Sequence, residues 1–280
     1  CSEDCTVKIW DIPAFGLQQN LTKARKTLVG HSRRVAIIEW HPTAQNLLLS
    51  SAYDYKVLLW DISQAGAVIL HPALLLSVSF NSDGSRLAVT SKDRRVRVVD
   101  PRLGKILQVY KFHRANKVLY IDGLKMLLST GSSSWKHRQM VLWDDLSEPL
   151  YEEDLDGSAG VLFPFYDPDT HMLYLAGKGD GNIRFYELSA EKPFISFLNE
   201  YRSVLPQKGV MPKRGLDVMG CEVFRFYRLI AVKDMVEPLS MIVPRKKVDL
   251  VFQEDLYPLT AGNQAAVTAR EWLLGINRGL

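Results

Sequence analysis

The stretch 53-YDYKVLLWD-61 decides how the rest of the chain is interpreted, because its spacing returns elsewhere. Asp54 precedes Trp60 by six positions, and the residues between them include a strand-forming apolar run. Three other segments place an aspartate six positions before a closing residue: Asp4 before Trp10, Asp93 before Val99, and Asp180 before Tyr186. The stretch is therefore one copy of a repeated unit.

Two further segments end in the same way without the aspartate. The run 140-MVLWD-144 closes on Trp143, and 221-CEVFRFYRL-229 closes on Tyr227. The closing positions are then 10, 60, 99, 143, 186 and 227, separated by 50, 39, 44, 43 and 41 residues. A period of about 40–45 residues with several short β-runs in each repeat is typical of WD-repeat propeller blades. The sequence predicts an all-β fold, a WD-repeat β-propeller.

A histidine provides a second landmark in two of the repeats. His31 stands nine positions before Trp40, and His71 stands nine before Phe80. A histidine, a serine or threonine, the turn aspartate and the closing aromatic can form a hydrogen-bonded chain that pins a blade, and losing one member should cost roughly 1–3 kcal/mol. The predicted structural residues of these blades are His31, Ser51, Asp54, Trp60, Asp4, Trp10, His71, Asp93, Trp143, Asp180 and Tyr186.

The hydroxyl in the His31 repeat could come from Ser50 or Ser51, and we take Ser51 as the candidate for this hydrogen-bonded chain. His31, Ser51 and Asp54 carry the residue types of a Ser-His-Asp triad. Because the set partly recurs in other copies, at the joints between blades, the structural interpretation is favoured over the catalytic one.

Composition excludes several other classes of protein. The 280 residues are 47% apolar and 24% charged, as in an ordinary globular protein. The longest mostly apolar run, 65–80, is too short to cross a bilayer and contains polar residues. Three cysteines without a C-x-x-C pair favour neither disulfides nor zinc and fit a reducing, cytoplasmic setting. The net charge of +4 permits an acidic partner without requiring nucleic acid. We expect no cofactor and no metal.

The number of repeats predicts an incomplete ring. A seven-bladed ring at about 43 residues per blade needs about 300 residues, whereas the closing positions from Trp10 to Tyr227 span five intervals. The chain also opens at Cys1 inside a strand pattern. We therefore expect about five blades plus fragments, with roughly two blades absent at the N-terminus.

The propeller is predicted to occupy residues 1–243, followed by an extension over 244–280. This extension ends in a short helix. Thr268 is placed as N-cap with Glu271 at the third helical position, and Gly275 fits the C-terminal cap. A helix this short is not stable alone, so we expect it to pack on the propeller.

The chain resembles the coronin family in seven runs: 40-WHPTAQN-46, 53-YDYKVLLWD-61, 163-FPFYDPDT-170, 177-GKGDGNIRFYE-187, 211-MPKRGLDV-218, 242-IVPR-245 and 253-QEDLYPLTAG-262. The last three lie outside any WD signature, which makes the resemblance specific. Its similarity to the class II coronins rests on three runs: 53-YDYKV-57, 151-YEEDLDGSAGVLFPFYD-167 and 222-EVFRFYRL-229.

The resemblance implies a seven-bladed propeller with a packed C-terminal extension. It also implies a non-enzymatic scaffold that binds filamentous actin at the cytoskeleton, with the Arp2/3 complex and cofilin as further partners. The family's first two blades, which hold an arginine considered central to filament binding, have no counterpart here. The family's coiled coil is also missing after Leu280, so homo-oligomers are expected only where it is present.

Clusters of basic residues are the better candidates for contacts with actin or with acidic lipid headgroups, because both partners are negatively charged. Arg33 and Arg34 lie in a loop that enters a blade strand, and 134-SWKHR-138 combines tryptophan with basic residues. The candidates for an acidic partner are Arg33, Arg34, Arg94, Arg95, Trp135, Lys136 and Arg138.

Two other functions are weaker alternatives. The acidic run 152–156 is nearly contiguous, an arrangement more typical of a solvated loop than of an acid/base pair or a metal site. A propeller can also bind a peptide or read a modification, for instance as a scaffold in a nuclear corepressor complex. A pull-down dominated by chromatin factors would favour that alternative over actin.

Overall fold

The computed structural model describes the chain except for residues 2, 14–18, 65, 70–73, 94, 111–113, 145–148, 215–216, 246–251, 261, 263 and 280, and except for the side chains of 66–69 and 214. His71 and Arg94, both predicted as site residues, lie outside the described residues. The chain divides into two compact units, Cys1–Lys111 with Gln264–Leu280, and Phe112–Asn263.

The first unit contains three antiparallel sheets. Sheet 1 pairs β1 (Thr6–Ile9) with β2 (Lys26–Val29). Sheet 2 consists of β3 (Val35–Trp40), β5 (Leu47–Ala52), β6 (Val57–Asp61) and β7 (Gly66–Ile69). Sheet 3 consists of β8 (Leu75–Phe80), β9 (Leu87–Ser91), β10 (Val96–Asp100) and β11 (Lys105–Tyr110). In addition, β4 (Ala44–Gln45) pairs in parallel with β23 (Val267–Thr268), which leads into α1 (Ala269–Leu273).

The second unit contains three more antiparallel sheets. Sheet 4 consists of β12 (Ala115–Ile121), β13 (Met126–Ser132), β14 (Arg138–Trp143) and β15 (Pro149–Asp156). Sheet 5 consists of β16 (Leu162–Asp167), β17 (Met172–Gly177), β18 (Ile183–Leu188) and β19 (Ile195–Tyr201). Sheet 6 consists of β20 (Gly209–Arg214), β21 (Glu222–Ile230) and β22 (Met235–Ile242). Two 3₁₀ turns cover Asp122–Leu124 and Ala231–Lys233.

The sheets have the order of propeller blades, each a meander of neighbouring antiparallel strands. Among the six numbered sheets of the described residues, four have four strands, sheet 6 has three and sheet 1 has two. This arrangement confirms the prediction of an all-β fold with about five blades. Both faces of the inner strands are buried, which explains their nearly continuous apolar sequence. In β5, Leu47 and Leu49 belong to one apolar cluster and Leu48 and Ala52 to another.

The closing residues occupy the third strand of their blade in four cases and not in the other two. Trp60, Val99, Trp143 and Tyr186 lie in β6, β10, β14 and β18, and all four are buried. Trp10 follows the end of β1 and is 37% exposed. Tyr227 lies in β21, the second strand of sheet 6, so its assignment as a closing residue was wrong. The hairpin that leads into β21 joins it to β20, the first strand, and the third strand is β22.

The C-terminal helix has the caps predicted from the sequence. The Thr268 side chain accepts a hydrogen bond from the Glu271 N–H, and the Glu271 side chain accepts one from the Thr268 N–H, which completes a capping box. Gly275 follows the C-cap with a φ of 101°. Trp272 of α1 is fully buried among residues of sheets 2 and 3, so the helix packs within the first unit. The division at residue 243 stays a prediction.

Candidate functional site: blade networks and a basic rim

A closed hydrogen-bonded chain pins the turn of sheet 2. His31 Nδ1 lies 3.0 Å from Asp54 Oδ2, and His31 Nε2 lies 2.7 Å from Ser50 Oγ. The indole N–H of Trp60 donates to the same Ser50 oxygen at 2.8 Å. Ser50 therefore donates its proton to His31 Nε2, and His31 donates through Nδ1 to Asp54. The Ser50 hydroxyl is therefore occupied by hydrogen bonds to an indole and an imidazole, and its role is structural.

The serine in this chain is Ser50, so the choice of Ser51 was wrong. Ser51 Oγ is buried and has no hydrogen-bond partner among the described residues. Successive side chains of a strand point to opposite faces of the sheet. Ser50 lies on the face that Trp60 occupies, and Ser51 lies on the opposite face.

Asp54 accepts hydrogen bonds from two backbone groups in addition to the one from His31. The backbone N–H groups of Ser32 and Lys56 donate to it at 2.9 and 3.0 Å. Burial raises the pKa of Asp54, but these two backbone bonds and the bond from His31 outweigh it and leave the pKa below its ordinary value. The aspartate is thus an ionised turn anchor.

Sheet 4 repeats the tryptophan–serine contact. The indole N–H of Trp143 donates to Ser129 Oγ at 2.8 Å. Ser129 was missed from the sequence, although the register identifies it. Trp143 pairs with Leu127 as Trp60 pairs with Leu48, and the serine follows two residues later in both strands.

Asp180 is also held in place, but by an arginine. Arg138 NH1 donates to Asp180 at 2.7 Å, and its other nitrogens bind both oxygens of Asp156 at 2.7 and 2.6 Å. Arg184 NH1 lies 2.8 Å from the same Asp156 carboxylate. Burial raises the pKa of Asp156, but Arg138 chiefly, with the Ser158 N–H and Arg184, holds it well below its usual range.

Arg138 is therefore not available to an acidic partner, and its assignment as a surface candidate was wrong. The residue is only 4% exposed and forms the first position of β14. Its guanidinium ties β14 to β15 and to the turn that holds Asp180. Its neighbours in the sequence are different: Trp135 is 80% exposed, and Lys136 is exposed at the turn between β13 and β14.

The turn before β3 presents an organised basic surface. Arg33 and Arg34 are both exposed. The guanidinium carbon of Arg34 lies 3.9 Å from the centre of the Tyr53 ring, and its NH1 lies 3.9 Å from Glu3. The Tyr53 N–H donates to the Arg34 carbonyl at 3.1 Å, which joins the two turns. We name the set Arg33, Arg34 and Tyr53 the basic rim.

The turn between β9 and β10 contributes further charge. Arg95 and Lys92 are exposed. Arg97 is not free, because its NH1 donates to Ser91 at 2.7 Å and to Asp93 at 3.0 Å. The bond from Arg97 holds the pKa of Asp93 well below its usual range.

The acidic run 152–156 lies within β15 and not in a solvated loop, and its carboxylates accept hydrogen bonds from arginine, glutamine and tyrosine side chains. The Gln139 amide donates to Glu152 at 2.6 Å and to Asp154 at 2.9 Å. Among the described residues, no group of three or more His, Cys, Asp or Glu side chains could hold a metal ion. None of the described helices has the length and apolar character needed to cross a membrane.

Comparison with known proteins identifies the repeats. Residues 22–61 and 69–100 match the family model described as "WD domain, G-beta repeat", and residues 236–280 match "Type of WD40 repeat". The crystal structure of the WD40 domain from Toxoplasma gondii coronin is similar with a TM-score of 0.88 and 31% identity, over 99% of this chain and 74% of that one.

Two human relatives are more similar in sequence. Coronin-2A is 60% identical over 292 residues, and Coronin-2B is 56% identical over 287 residues. Each match covers 99% of this chain but 55% and 59% of the relative, so the chain spans little more than half the length of these proteins. The WD-repeat fold and the resemblance to class II coronins are confirmed. By its repeats, its fold and its sequence, the chain belongs to the coronin family.

Proposed function

We propose that this chain is a non-enzymatic scaffold that binds filamentous actin through the basic rim and thereby organises the cytoskeleton. The observation that carries the proposal is the exposed stack of Arg34 on Tyr53, beside Arg33, on a coronin-family propeller. The non-enzymatic part is supported by the engagement of Ser50, His31 and Asp54 in a structural chain.

The geometry of the rim suits an acidic protein surface. A guanidinium stacked on an aromatic ring is already oriented, so less side-chain entropy is lost when it binds a carboxylate. Arginine and tyrosine are enriched among residues that dominate interface energetics. Because an actin filament is acidic, exposed arginines would also raise the rate of encounter and make binding sensitive to salt.

Other exposed basic residues could also contact acidic partners. Trp135 and Lys136 are adjacent exposed residues in the second unit and could meet an acidic partner as well. Acidic lipid headgroups could use either surface. The family resemblance adds the Arp2/3 complex and cofilin as partners and a cytoplasmic location at the actin cytoskeleton. The propeller's partners would be bound through its surface, without a cofactor.

Cosedimentation with actin filaments at low and moderate salt tests the proposal. The wild-type chain should pellet with filaments at low salt and less at moderate salt. The double variant R33E/R34E should bind at least about tenfold more weakly, because two attractive contacts become repulsive. The control variant K23E/K105E reverses the charge of two exposed lysines outside the rim, so its net charge equals that of R33E/R34E. It should bind filaments nearly as tightly as the wild-type chain.

Each outcome has a distinct meaning. Equal loss in both double variants would show a dependence on net charge alone and would contradict a specific rim. Wild-type protein that stays in the supernatant at both salts would contradict filament binding by this chain.

A further inference from the structure

A half-enclosed apolar cavity of about 290 Å³ lies between sheets 2 and 3, within the first unit. Its walls come from both sheets and include Val57 on one side and Val89 and Val99 on the other. All three valines are buried in the cluster that joins the two sheets. The cavity therefore opens a gap in an otherwise packed joint.

The register of the strands explains why the gap is there. In sheet 2, Trp60 pairs with Leu48, and Ser50 follows two residues later to accept the indole N–H. In sheet 3, Val99 pairs with Leu87, and Val89 follows two residues later. Val99 and Val89 therefore occupy the positions of a tryptophan and its serine.

Sheet 4 repeats the pair with Trp143 and Ser129, and sheet 5 has Tyr186 at the closing position, so sheet 3 differs from both in having no aromatic ring there. Replacing an indole by a valine removes an aromatic ring system from the joint. The inner walls of the cavity are apolar, so a water molecule there would have few polar partners. The walls then lack the van der Waals contacts that a bulky side chain would make. A ligand that enters the cavity would make those contacts and gain binding energy from them.

The mouth of the cavity is polar and net basic. Exposed Lys92 and Tyr55 line it. Asp93 also lines it, but its charge is offset by Arg97. Exposed Arg95 follows in the same turn. Within the described part of the chain, neither Lys92 nor Arg95 is in an ion pair.

We propose that this cavity binds the aromatic side chain of an acidic partner peptide, which supplies in trans the ring that Val99 lacks. A cavity of about 150 Å³ lined by apolar side chains binds benzene, so one of this size admits an indole. Acidic residues on either side of the aromatic would meet the basic mouth. Tryptophan buried in a pocket with a polar surround is a common arrangement for an energetic anchor. This binding goes beyond filament binding by the basic rim, and none of the residues that line the cavity belongs to that rim.

The direct test is fluorescence anisotropy with a labelled pentapeptide, Asp-Glu-Trp-Glu-Asp, capped at both ends. The full chain should bind it saturably and more weakly at higher salt. The matched peptide with alanine in place of tryptophan should bind at least about tenfold more weakly, since the anchor is removed. A peptide with lysines in place of the acidic residues should also bind more weakly.

Variants of the chain locate the binding. V99W fills the cavity from within and should abolish peptide binding while raising the melting temperature. K92E should weaken binding at least about fivefold at low salt by reversing charge at the mouth, and as a surface change it should leave folding intact. K105E, an exposed charge reversal on the outer strand of sheet 3, is the matched control and should bind nearly as wild type.

The two proposals fail in distinguishable ways. V99W should pellet with actin filaments as wild type does, because Val99 is buried. Equal affinity for the tryptophan and alanine peptides, or unchanged binding by a folded V99W, would overturn the cavity as the site. Should V99W not fold, unchanged binding by K92E would overturn it instead.

Discussion

Ser50 and Ser51 are neighbours in β5 and face opposite sides of sheet 2. Ser50 Oγ receives the Trp60 indole N–H and meets His31. Ser51 Oγ is equally buried but has no hydrogen-bond partner among the described residues. A buried hydroxyl with two partners stabilises the fold, whereas one without a partner retains its desolvation cost.

This difference predicts opposite results for two adjacent alanine substitutions. Ser50→Ala should lower the free energy of unfolding by about 1–3 kcal/mol, because it leaves the Trp60 N–H and His31 without their partner. Ser51→Ala should be neutral or slightly stabilising. Urea unfolding of both variants measures the difference, and equal destabilisation would refute the assignment of Ser50.

Arg138 shows how burial changes the meaning of a basic residue. Its guanidinium binds Asp156 and Asp180. Removing one partner of a buried pair leaves the other charges without compensation. Arg138→Met should therefore cost about 3 kcal/mol of stability, whereas Lys136→Met at the exposed turn should stay within about 0.5 kcal/mol. Denaturant unfolding of the two variants checks this, and a mild effect at Arg138 would mean that the ion pairs contribute little.

The sequence could not distinguish these pairs of residues by itself. The strand pattern located β5 and β14, but a pattern of apolar residues does not show which face a serine shares with the closing tryptophan. The run 134-SWKHR-138 looked like one basic turn, and the structure ends the turn at His137. The aspartates that meet Arg138 come from β15 and from a turn 42 residues away, which no local pattern reveals.

A buried histidine, His41, contributes to the packing of α1 within the first unit. His41 lies 4.5 Å from the Trp272 ring and 5.0 Å from Phe80, measured between ring centres. His41 Nδ1 accepts hydrogen bonds from the Thr43 and Ala44 N–H groups, so the proton is on Nε2, which lies 3.3 Å from the Gly84 carbonyl.

Gly84 is required beside this ring. Its φ is 72°, and a Cβ at that position would lie 1.9 Å from His41 Nε2. Arg102 completes the arrangement by stacking 4.0 Å above the Trp272 ring and donating to the Trp272 carbonyl at 2.6 Å.

This packing predicts a pH dependence. Burial, and to a lesser extent Arg102, lowers the pKa of His41 to about 4, although the Gly84 carbonyl and Asp83 act in the opposite direction. The unfolded chain then binds a proton that the folded chain excludes, so stability is full above about pH 6.5 and falls as the pH drops towards 4. His41→Asn should flatten this part of the stability curve, whereas His137→Asn, at an exposed position, should not. Parallel slopes for wild type and His41→Asn in urea unfolding between pH 7 and 4.5 would contradict the prediction.

The spacing of the closing residues located most blades, but it did not predict the strand order of sheet 6 or the pairing of β4 with β23. It placed the third strands of sheets 2 to 5 because a turn aspartate or a closing aromatic marks each of them. In sheet 6 no aspartate precedes Tyr227 by six, and the strand proved to be the second one. The pairing of β4 with β23 joins residues more than 200 positions apart, which local periodicity cannot predict.

For the molecule as a whole, family membership and surface chemistry point to the same role. The repeats build a β-propeller of the coronin family, and its basic rim combines exposed Arg33 with Arg34, which stacks on Tyr53. Net charge alone, at +4, would give only weak attraction to a filament. The proposed binding therefore depends on where the charges lie.

Electron cryo-microscopy of actin filaments decorated with the full chain tests that claim most directly. Density for the turn before β3 should contact an acidic surface of actin, with Arg33 and Arg34 at the interface, and decoration should be lost in R33E/R34E but kept in K23E/K105E. Filaments that remain bare, or density in which this turn faces solvent, would contradict it.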